Sequence, residues 1–131
     1  APFFLFNMAR NTGQKDAVRQ VMKAARRPLN PQEVLERASI VVPGMGIATV
    51  YRHLKSLNEA GWLVCVELPG EGTRFELASI AHHHHFKCDA CERVFDVPGC
   101  AHDVEGLAPD GFVVERHEVL LFGVCADCSQ P

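Results

Sequence analysis

Apolar residues recur at helical spacing in the first sixty positions of the chain. They do so between Lys15 and Ala25, which predicts a first helix. The sequence Asn30-Pro31-Gln32-Glu33 then combines a capping Asn, Pro at the first helical position and Glu at the third, and predicts the start of a second helix. A third helix is predicted over about residues 47–60, and Gly61 follows it at the position of a C-terminal cap.

After the third helix the pattern predicts strands. Residues 62–68 and 73–78 are expected to pair around the Gly-rich turn Pro69-Gly70-Glu71-Gly72. Three helices followed by a hairpin predict a winged helix-turn-helix, an architecture typical of DNA-binding proteins.

The last fifty or so residues are predicted to form a smaller β-α-β unit. Residues 86–97 and 112–124 are β-rich, and residues 99–108 are expected to form a short helix between them. So small a unit buries too little apolar surface to be stable without a metal and a partner chain.

Nothing in the chain indicates secretion or insertion into a membrane. The apolar start has no basic region before it and no small-residue cleavage site. Met8 is a candidate native start, and residues 1–7 would then be a remnant outside the domain. No apolar run approaches the roughly 20 residues that span a bilayer. We therefore expect a cytoplasmic protein without a membrane partner.

Charge is distributed unevenly along the chain. Residues 1–60 carry nine Lys and Arg against four acidic residues, whereas residues 61–131 carry four against twelve. Such a split indicates that the basic half faces a polyanion, although chance and solubility would also account for it. The basic half is also the half with the predicted DNA-binding architecture, so the two signals agree.

Four of the six cysteines form two CxxC pairs: Cys88 with Cys91, and Cys125 with Cys128. In a chain without a secretion signal, paired CxxC motifs indicate metal binding, and four thiolates are the set that zinc prefers in closed structural sites. A thioredoxin-like redox role is the alternative, but the βαβ surround typical of that role precedes neither pair. We interpret the remaining two, Cys65 and Cys100, as a strand residue and a loop thiol.

A run of four histidines, His82 to His85, lies between the two predicted units. An affinity tag would be a trivial explanation, but tags lie at chain termini. Successive side chains of a strand point to opposite faces. His83 and His85 would then face one way, and His82 and His84 the other. The run therefore predicts ligands for two separate metal sites.

Residues 48–63, ATVYRHLKSLNEAGWL, resemble the recognition-helix signature TVYRxLxxLxxxGL of the ferric uptake regulator (Fur) family. Thr12-Gly13-Gln14-Lys15 is similar to the family's N-terminal TxQR, with Lys in place of Arg. The match continues in the family's order and spacing through Thr73–Glu76, His83-x-His85-x-x-Cys88-x-x-Cys91, and His117 to Cys128. The resemblance covers nearly all of residues 12–128.

The resemblance implies an α+β fold with an N-terminal winged helix-turn-helix domain and a C-terminal α/β dimerisation domain. We expect the DNA-binding domain at residues 1–79 and the dimerisation and metal-binding domain at residues 80–131. The implied function is a metal-dependent transcriptional repressor of metal-ion homeostasis, a homodimer on A/T-rich palindromic operators in double-stranded DNA. A zinc-uptake or peroxide-responsive regulator of the same family is the alternative.

The resemblance also implies three metal sites. The structural zinc would be held by Cys88, Cys91, Cys125 and Cys128. The regulatory site, at the hinge between the domains, would use Glu76, His83, His85 and Asp96. A third site would use His82, His84, Asp103 and His117, and His102 and Glu105 are close rivals of Asp103.

The implied regulatory ligands are carboxylates and imidazoles, which suit Mn(II) or Fe(II) as co-repressor, although Zn(II) would substitute in vitro. The family's zinc sensors usually add a cysteine, and the matching position here is Ala78. Pro28 stands where iron and peroxide sensors usually carry a histidine. This departure argues against peroxide sensing, whereas Asp96 is the residue that resembles the peroxide sensors.

Five residues are predicted to contact DNA. Thr49 and Tyr51, near the start of the recognition helix, would contact base edges, unless Tyr51 packs partly into the core. Arg52 and Lys55 would bind phosphates, and Lys15 would reach a phosphate or a minor groove.

Two functions of other classes are alternatives to the repressor. Zinc hydrolases and deaminases use His and Cys clusters, but they need an open coordination position beside a general acid. The sequence contains neither HExxH nor HxE…PCxxC, so we do not expect an enzyme. A metal-storage protein or metallochaperone would account for His82–His85 but not for the TVYR-bearing helix, and specific DNA binding would distinguish the two.

Overall fold

A computed structural model of the protein describes residues 2–78, 82–100 and 104–130, with side chains from residue 13 onward. Contacts between Cα atoms divide the chain into two compact units, residues 1–79 and residues 80–131.

Three helices form most of the N-terminal unit: α1 at Pro2–Ala25, α2 at Pro31–Val41 and α3 at Ile47–Glu59. The first helix begins well before the predicted Lys15 and includes residues 2–7. The second begins as predicted, because the side chain of Asn30 accepts from the N–H of Glu33 and the Glu33 carboxylate accepts from the N–H of Asn30. Gly61, at φ +80°, ends the third helix in the left-handed conformation that glycine adopts without strain.

One face of each helix is buried in a common core, to which strand residues Leu63 and Phe75 also belong. The largest fully buried side chains of the helices and of the segment before α2 are Val18, Met22, Pro28, Leu29, Val34, Val50, Leu54 and Leu57. Val50, Leu54 and Leu57, at helical spacing along α3, thus face the core, whereas Arg52 and Lys55 face solvent.

A two-stranded hairpin completes the N-terminal unit. Strands β1 (Leu63–Leu68) and β2 (Gly72–Leu77) pair antiparallel, with Leu63 opposite Leu77 and Leu68 opposite Gly72. Leu29 and Phe75 exchange two backbone hydrogen bonds of 2.9 Å, which attach the hairpin to the segment before α2. Three helices and this hairpin form a winged helix-turn-helix.

A buried ion-pair network lies between α2 and the hairpin. Glu33 accepts from Arg27 at 3.0 Å through one carboxylate oxygen and from Arg74 at 2.7 Å through the other. The two arginines are only 8% and 4% exposed. One carboxylate thus compensates two buried guanidinium groups and also caps its own helix.

A three-stranded sheet with the order β4-β3-β5 forms the C-terminal unit. Its strands are β3 (His83–Cys88), β4 (Val94–Pro98) and β5 (Leu120–Gly123), and the short helix α4 (Ala126–Ser129) follows. Strands β3 and β4 pair antiparallel, with His85 opposite Asp96, whereas β3 and β5 pair parallel, with His85 opposite Leu120.

Two secondary-structure predictions for this unit were wrong: a predicted helix is not formed in the residues described, and a predicted strand is shorter than expected. Residues 99–108 do not form the predicted helix in the described part of that segment, where one 3₁₀ turn, Glu105–Leu107, presents no buried side chain. Of residues 112–124, only Leu120–Gly123 is a strand. Phe112 and Val113 are 69% and 87% exposed, so the apolar character of this segment does not arise from burial within the chain.

Among the described residues, no helix combines the length and the hydropathy needed to cross a membrane.

Candidate metal centres and nucleic-acid interface

The four CxxC cysteines converge at one end of the three-stranded sheet. Cys88 ends β3, Cys91 follows in the turn to β4, and Cys125 and Cys128 lie at the start and within α4. Their four Sγ atoms all lie within 4.8 Å of one another, and those of Cys91 and Cys125 are 3.9 Å apart. Tetrahedral zinc with Zn–S bonds of about 2.3 Å places its sulfurs about 3.8 Å apart. The donor set and its spacing fit a closed zinc site.

Main-chain and arginine donors surround these sulfurs. The N–H groups of Cys125 and Cys91 donate to Cys88 Sγ at 3.3 and 3.4 Å and lower the pKa of the Cys88 thiol to about 6. The Arg93 guanidinium donates to Cys91 Sγ at 3.1 Å and lowers the pKa of that thiol as well. Hydrogen bonding to Cys125, followed by burial, raises the pKa of the Cys128 thiol to about 12. A bound zinc would displace the protons that remain.

A second cluster lies on one face of β3 and β4. His83 and His85 are two residues apart on β3, with ring centroids 4.9 Å apart. Their Nε2 atoms lie 3.4 and 3.5 Å from the same carboxylate oxygen of Asp96, which comes from the opposing strand. All three side chains are partly buried, and together they offer two nitrogens and a carboxylate to a divalent ion.

The fourth predicted ligand of this set, Glu76, belongs to the N-terminal unit. It lies in β2 and is 3% exposed. Its participation in a metal site remains a prediction from the resemblance.

A third cluster lies on the other side of the histidine run. His84 is buried on β3, His82 precedes the strand, and His117 lies in the extended segment before β5. The three imidazole centroids are separated by 4.8 to 5.2 Å. Burial lowers the pKa of His84, and the neighbouring rings of His82 and His117 add to the effect. The fourth residue predicted for this site, Asp103, lies outside the described residues.

The third cluster contains a cysteine that the sequence did not lead us to expect there. The Sγ of Cys100 lies 2.7 Å from His117 Nε2 and 3.4 Å from His84 Nε2. One ligand atom from each of His82, His84, Cys100 and His117 lies within 4.8 Å of the others. The pairing of β3 with β4 explains the position of Cys100. His83 pairs with Pro98, so Cys100, two residues further along the chain, lies beside the start of β3.

A basic, solvent-facing strip runs along α3. Tyr51 is 55% exposed, and Arg52 and Lys55 are exposed on the same side of the helix. Thr49 is partly buried, and its hydroxyl lies 3.5 Å from the Arg52 guanidinium. Lys15 on α1 donates to the hydroxyl of Ser56 on α3 at 2.8 Å. The strip therefore presents an aromatic ring and two cations on a rigid helix, the geometry that a groove-binding helix needs.

Comparison with known proteins gives a family and a fold. The sequence matches the model of the "Ferric uptake regulator family" over residues 7–122. It is 36% identical over 88 residues to the ferric uptake regulation protein of Campylobacter jejuni, a match that covers 65% of this chain and 56% of that protein. It is 29% identical over 128 residues to the peroxide-responsive repressor PerR of Staphylococcus saprophyticus, covering 94% and 84% of the two chains. The chain thus spans little more than half the length of the first relative.

Among solved structures, a zinc-bound manganese uptake regulator superposes with a TM-score of 0.73 at 23% identity, covering 86% of this chain and 87% of that one. At this identity the likeness shows the fold alone. It confirms the predicted α+β architecture, a winged helix followed by a smaller C-terminal α/β unit.

Proposed function

Since the chain belongs to the ferric uptake regulator family, we propose that it is a metal-dependent transcriptional repressor that controls metal-ion homeostasis. The family consists of transcription regulators, not enzymes. One observation carries the proposal: a winged helix with an exposed basic recognition helix shares a chain with three clusters of metal-ligand side chains. The proposed place of action is the cytoplasm.

The regulatory metal in this proposal is Mn(II) or Fe(II). Its ligands are Glu76, His83, His85 and Asp96, a set of nitrogen and oxygen donors without sulfur. Such donors suit these ions, although the affinity order of divalent metals lets Zn(II) replace them in vitro. The solved structure of a manganese uptake regulator with bound zinc is a parallel for such a replacement.

The proposed switch is a shift in population between arrangements of the two units. By recruiting Glu76 to the histidines of β3, the regulatory ion would limit the orientations that the winged helix can take. The ion can shift the population toward the DNA-competent arrangement only by the ratio of its affinities for that arrangement and for the others. By reciprocity, DNA must then strengthen metal binding by the same factor.

Dimerisation of the C-terminal unit is the second element of the proposal. Phe112, Val113, Leu121, Phe122 and Val124 are exposed apolar side chains of this unit. Exposed apolar surface of this kind is typical of an interface. A twofold dimer would carry two recognition helices, which suits palindromic half-sites about 34 Å apart. The proposed operator is therefore an A/T-rich palindrome in double-stranded DNA.

In this proposal Thr49 and Tyr51 contact base edges, and Arg52 and Lys55 bind phosphates. The exposure of Tyr51 supports a contact outside the core. Lys15 would exchange its hydrogen bond to Ser56 for a phosphate or a minor-groove contact.

Replacing both Arg52 and Lys55 by Ala is expected to weaken binding to operator and non-operator duplexes alike, because phosphate contacts carry no sequence information. In a homodimer four cations are lost, so the slope of log K against log salt should become shallower by up to about 4. Fluorescence anisotropy on an A/T-rich palindromic duplex at several salt concentrations measures both effects.

The matched control is Arg116→Ala, which removes an exposed cation from the C-terminal unit. Its affinity and salt slope should equal those of the native chain. If the double variant keeps the native salt slope, α3 does not face the DNA backbone, and the proposed interface is wrong.

A further inference from the structure

We propose that Cys100 is a metal ligand, and that His82, His84, Cys100 and His117 form a closed tetrahedral site selective for Zn(II) over Mn(II) and Fe(II). The inference concerns metal binding alone and does not require that the chain bind DNA. The location is that of the third metal site implied by the resemblance, and the new assignment is its fourth ligand, Cys100 in place of Asp103.

Geometry is the first support. Cys100 approaches two of the three imidazoles directly, at 2.7 and 3.4 Å from Sγ to Nε2. The four ligand atoms lie within 4.8 Å of one another, a spacing that an ion bound at about 2.0–2.3 Å to each ligand can bridge. Four protein ligands fill a tetrahedron, so the site leaves no open position for a reacting water.

One hydrogen bond of His84 must change when the site binds an ion. The main-chain N–H of Val119 donates to His84 Nδ1 at 3.0 Å, so in the neutral ring the proton lies on Nε2, on the side of Cys100. A neutral imidazole has one nitrogen lone pair available to a metal ion, and here the hydrogen bond from Val119 occupies it. Loading the site must therefore break the hydrogen bond from Val119, either because the ion takes Nδ1 or because the ring proton moves there.

A carboxylate lies on the far side of the His117 ring, just beyond hydrogen-bond distance. Glu105 Oε1 is 4.0 Å from His117 Nδ1, whereas Nε2 of the same ring points to Cys100. A carboxylate on the far side of an imidazole favours the tautomer whose other nitrogen is free for the metal. This assigns Glu105, a rival ligand on the sequence evidence, to an outer position.

Ligand chemistry decides which ion the site prefers. Three imidazoles and one thiolate are borderline-to-soft donors, which favour Zn(II) over Mn(II) and Fe(II). The cluster of His83, His85 and Asp96 on the other side of the sheet offers no sulfur. The two faces of one histidine run would thus discriminate between metals by their remaining donors, carboxylate oxygen on one face and a third imidazole with a thiolate on the other.

Cobalt(II) is the probe for the thiolate. The full chain keeps zinc in its four-cysteine site, mild chelation removes other ions, and Co(II) is added while the near-ultraviolet spectrum is recorded. A sulfur-to-cobalt charge-transfer band is expected, saturating at one equivalent per chain and abolished by Zn(II) but not by the same concentration of Mn(II). Cys100→Ser should lose the band, and Cys65→Ser, which removes the other exposed cysteine outside the CxxC pairs, should keep it.

Two further measurements use the same variants. Competition with a chromophoric chelator should show zinc affinity at this site at least about 10-fold weaker in Cys100→Ser, since even outer-shell substitutions typically cost that much. In the native chain, Zn(II) but not Mn(II) should slow the alkylation of Cys100, with Cys65 as the internal reference. A native chain without the band, a band of equal strength in Cys100→Ser, or alkylation of Cys100 that ignores zinc would overturn the proposal.

Discussion

Replacing Cys125 by Ser is expected to unfold the C-terminal unit while the winged helix stays folded. Among the described residues of this unit, the buried apolar side chains are Cys88, Val94 and Cys125. Two members of the proposed zinc site are thus also most of its apolar core. Structural zinc in small domains contributes about 10–16 kcal/mol of apparent binding free energy, which becomes folding free energy.

Zinc content and amide NMR spectra of the full-length variant measure this effect. The expected spectrum keeps dispersed signals from the N-terminal unit and collapses those of residues 82–130 toward random-coil positions. Chelation of the native chain with a strong zinc ligand should give the same result. Cys65→Ser, at an exposed position of β1, is the control and should change neither zinc content nor the C-terminal signals. A Cys125→Ser chain with a native C-terminal spectrum would show that zinc does not hold this unit together.

Replacing Glu33 by Ala is expected to destabilise the winged helix by about 3–5 kcal/mol, the usual effect of removing one partner of a buried ion pair. Arg27 and Arg74 both lose the carboxylate that they share, and both are almost fully buried. The same change removes half of the capping box at Asn30. Glu33→Gln keeps part of the hydrogen bonding and should lie between the variant and the native chain.

Urea unfolding followed by tryptophan fluorescence isolates this unit, because Trp62 is the single tryptophan of the chain and packs against its core. Glu36→Ala removes an exposed acid from the same helix and should change the free energy of unfolding by less than about 0.5 kcal/mol. Equal stability of the Glu33 and Glu36 variants would mean that the arginines are compensated without Glu33.

Local chemistry made much of the N-terminal unit predictable from sequence. The start of α2 follows from Asn30, Pro31 and Glu33, because the two capping bonds between Asn30 and Glu33 lie within a single helical turn. The end of α3 follows from Gly61, which adopts positive φ without strain. The buried stripe of α3 follows from helical periodicity. These features depend on residues within four positions along the chain, so the sequence pattern alone was enough to predict them.

Features that depend on register across a turn were harder to predict. The separation of the histidine run into two faces follows from strand periodicity alone, and the structure shows His83 with His85 and His82 with His84. The presence of Cys100 beside His84 depends instead on which residues of β3 and β4 face each other. Likewise, residues 112–119 have strand-like composition, but composition does not reveal whether a neighbouring strand is there to pair with them.

Coupling between metal binding and DNA binding is the core of the proposed function, and it is measured by calorimetric titration of Mn(II) into a chain that keeps zinc only in its cysteine-containing sites, with the regulatory site emptied by mild chelation. The titration is run twice, without DNA and with a saturating A/T-rich palindromic duplex, and Asp96→Asn, which weakens the regulatory site, is carried through both. We expect DNA to tighten Mn(II) binding by about 5- to 150-fold, the usual range of such couplings, and by the same factor by which Mn(II) tightens DNA binding. In Asp96→Asn, the increase in Mn(II) affinity caused by DNA and the increase in DNA affinity caused by Mn(II) should both be smaller, by the same factor. Equal Mn(II) affinity with and without DNA would contradict the account, because an ion without preference for the DNA-bound form cannot act as a co-repressor.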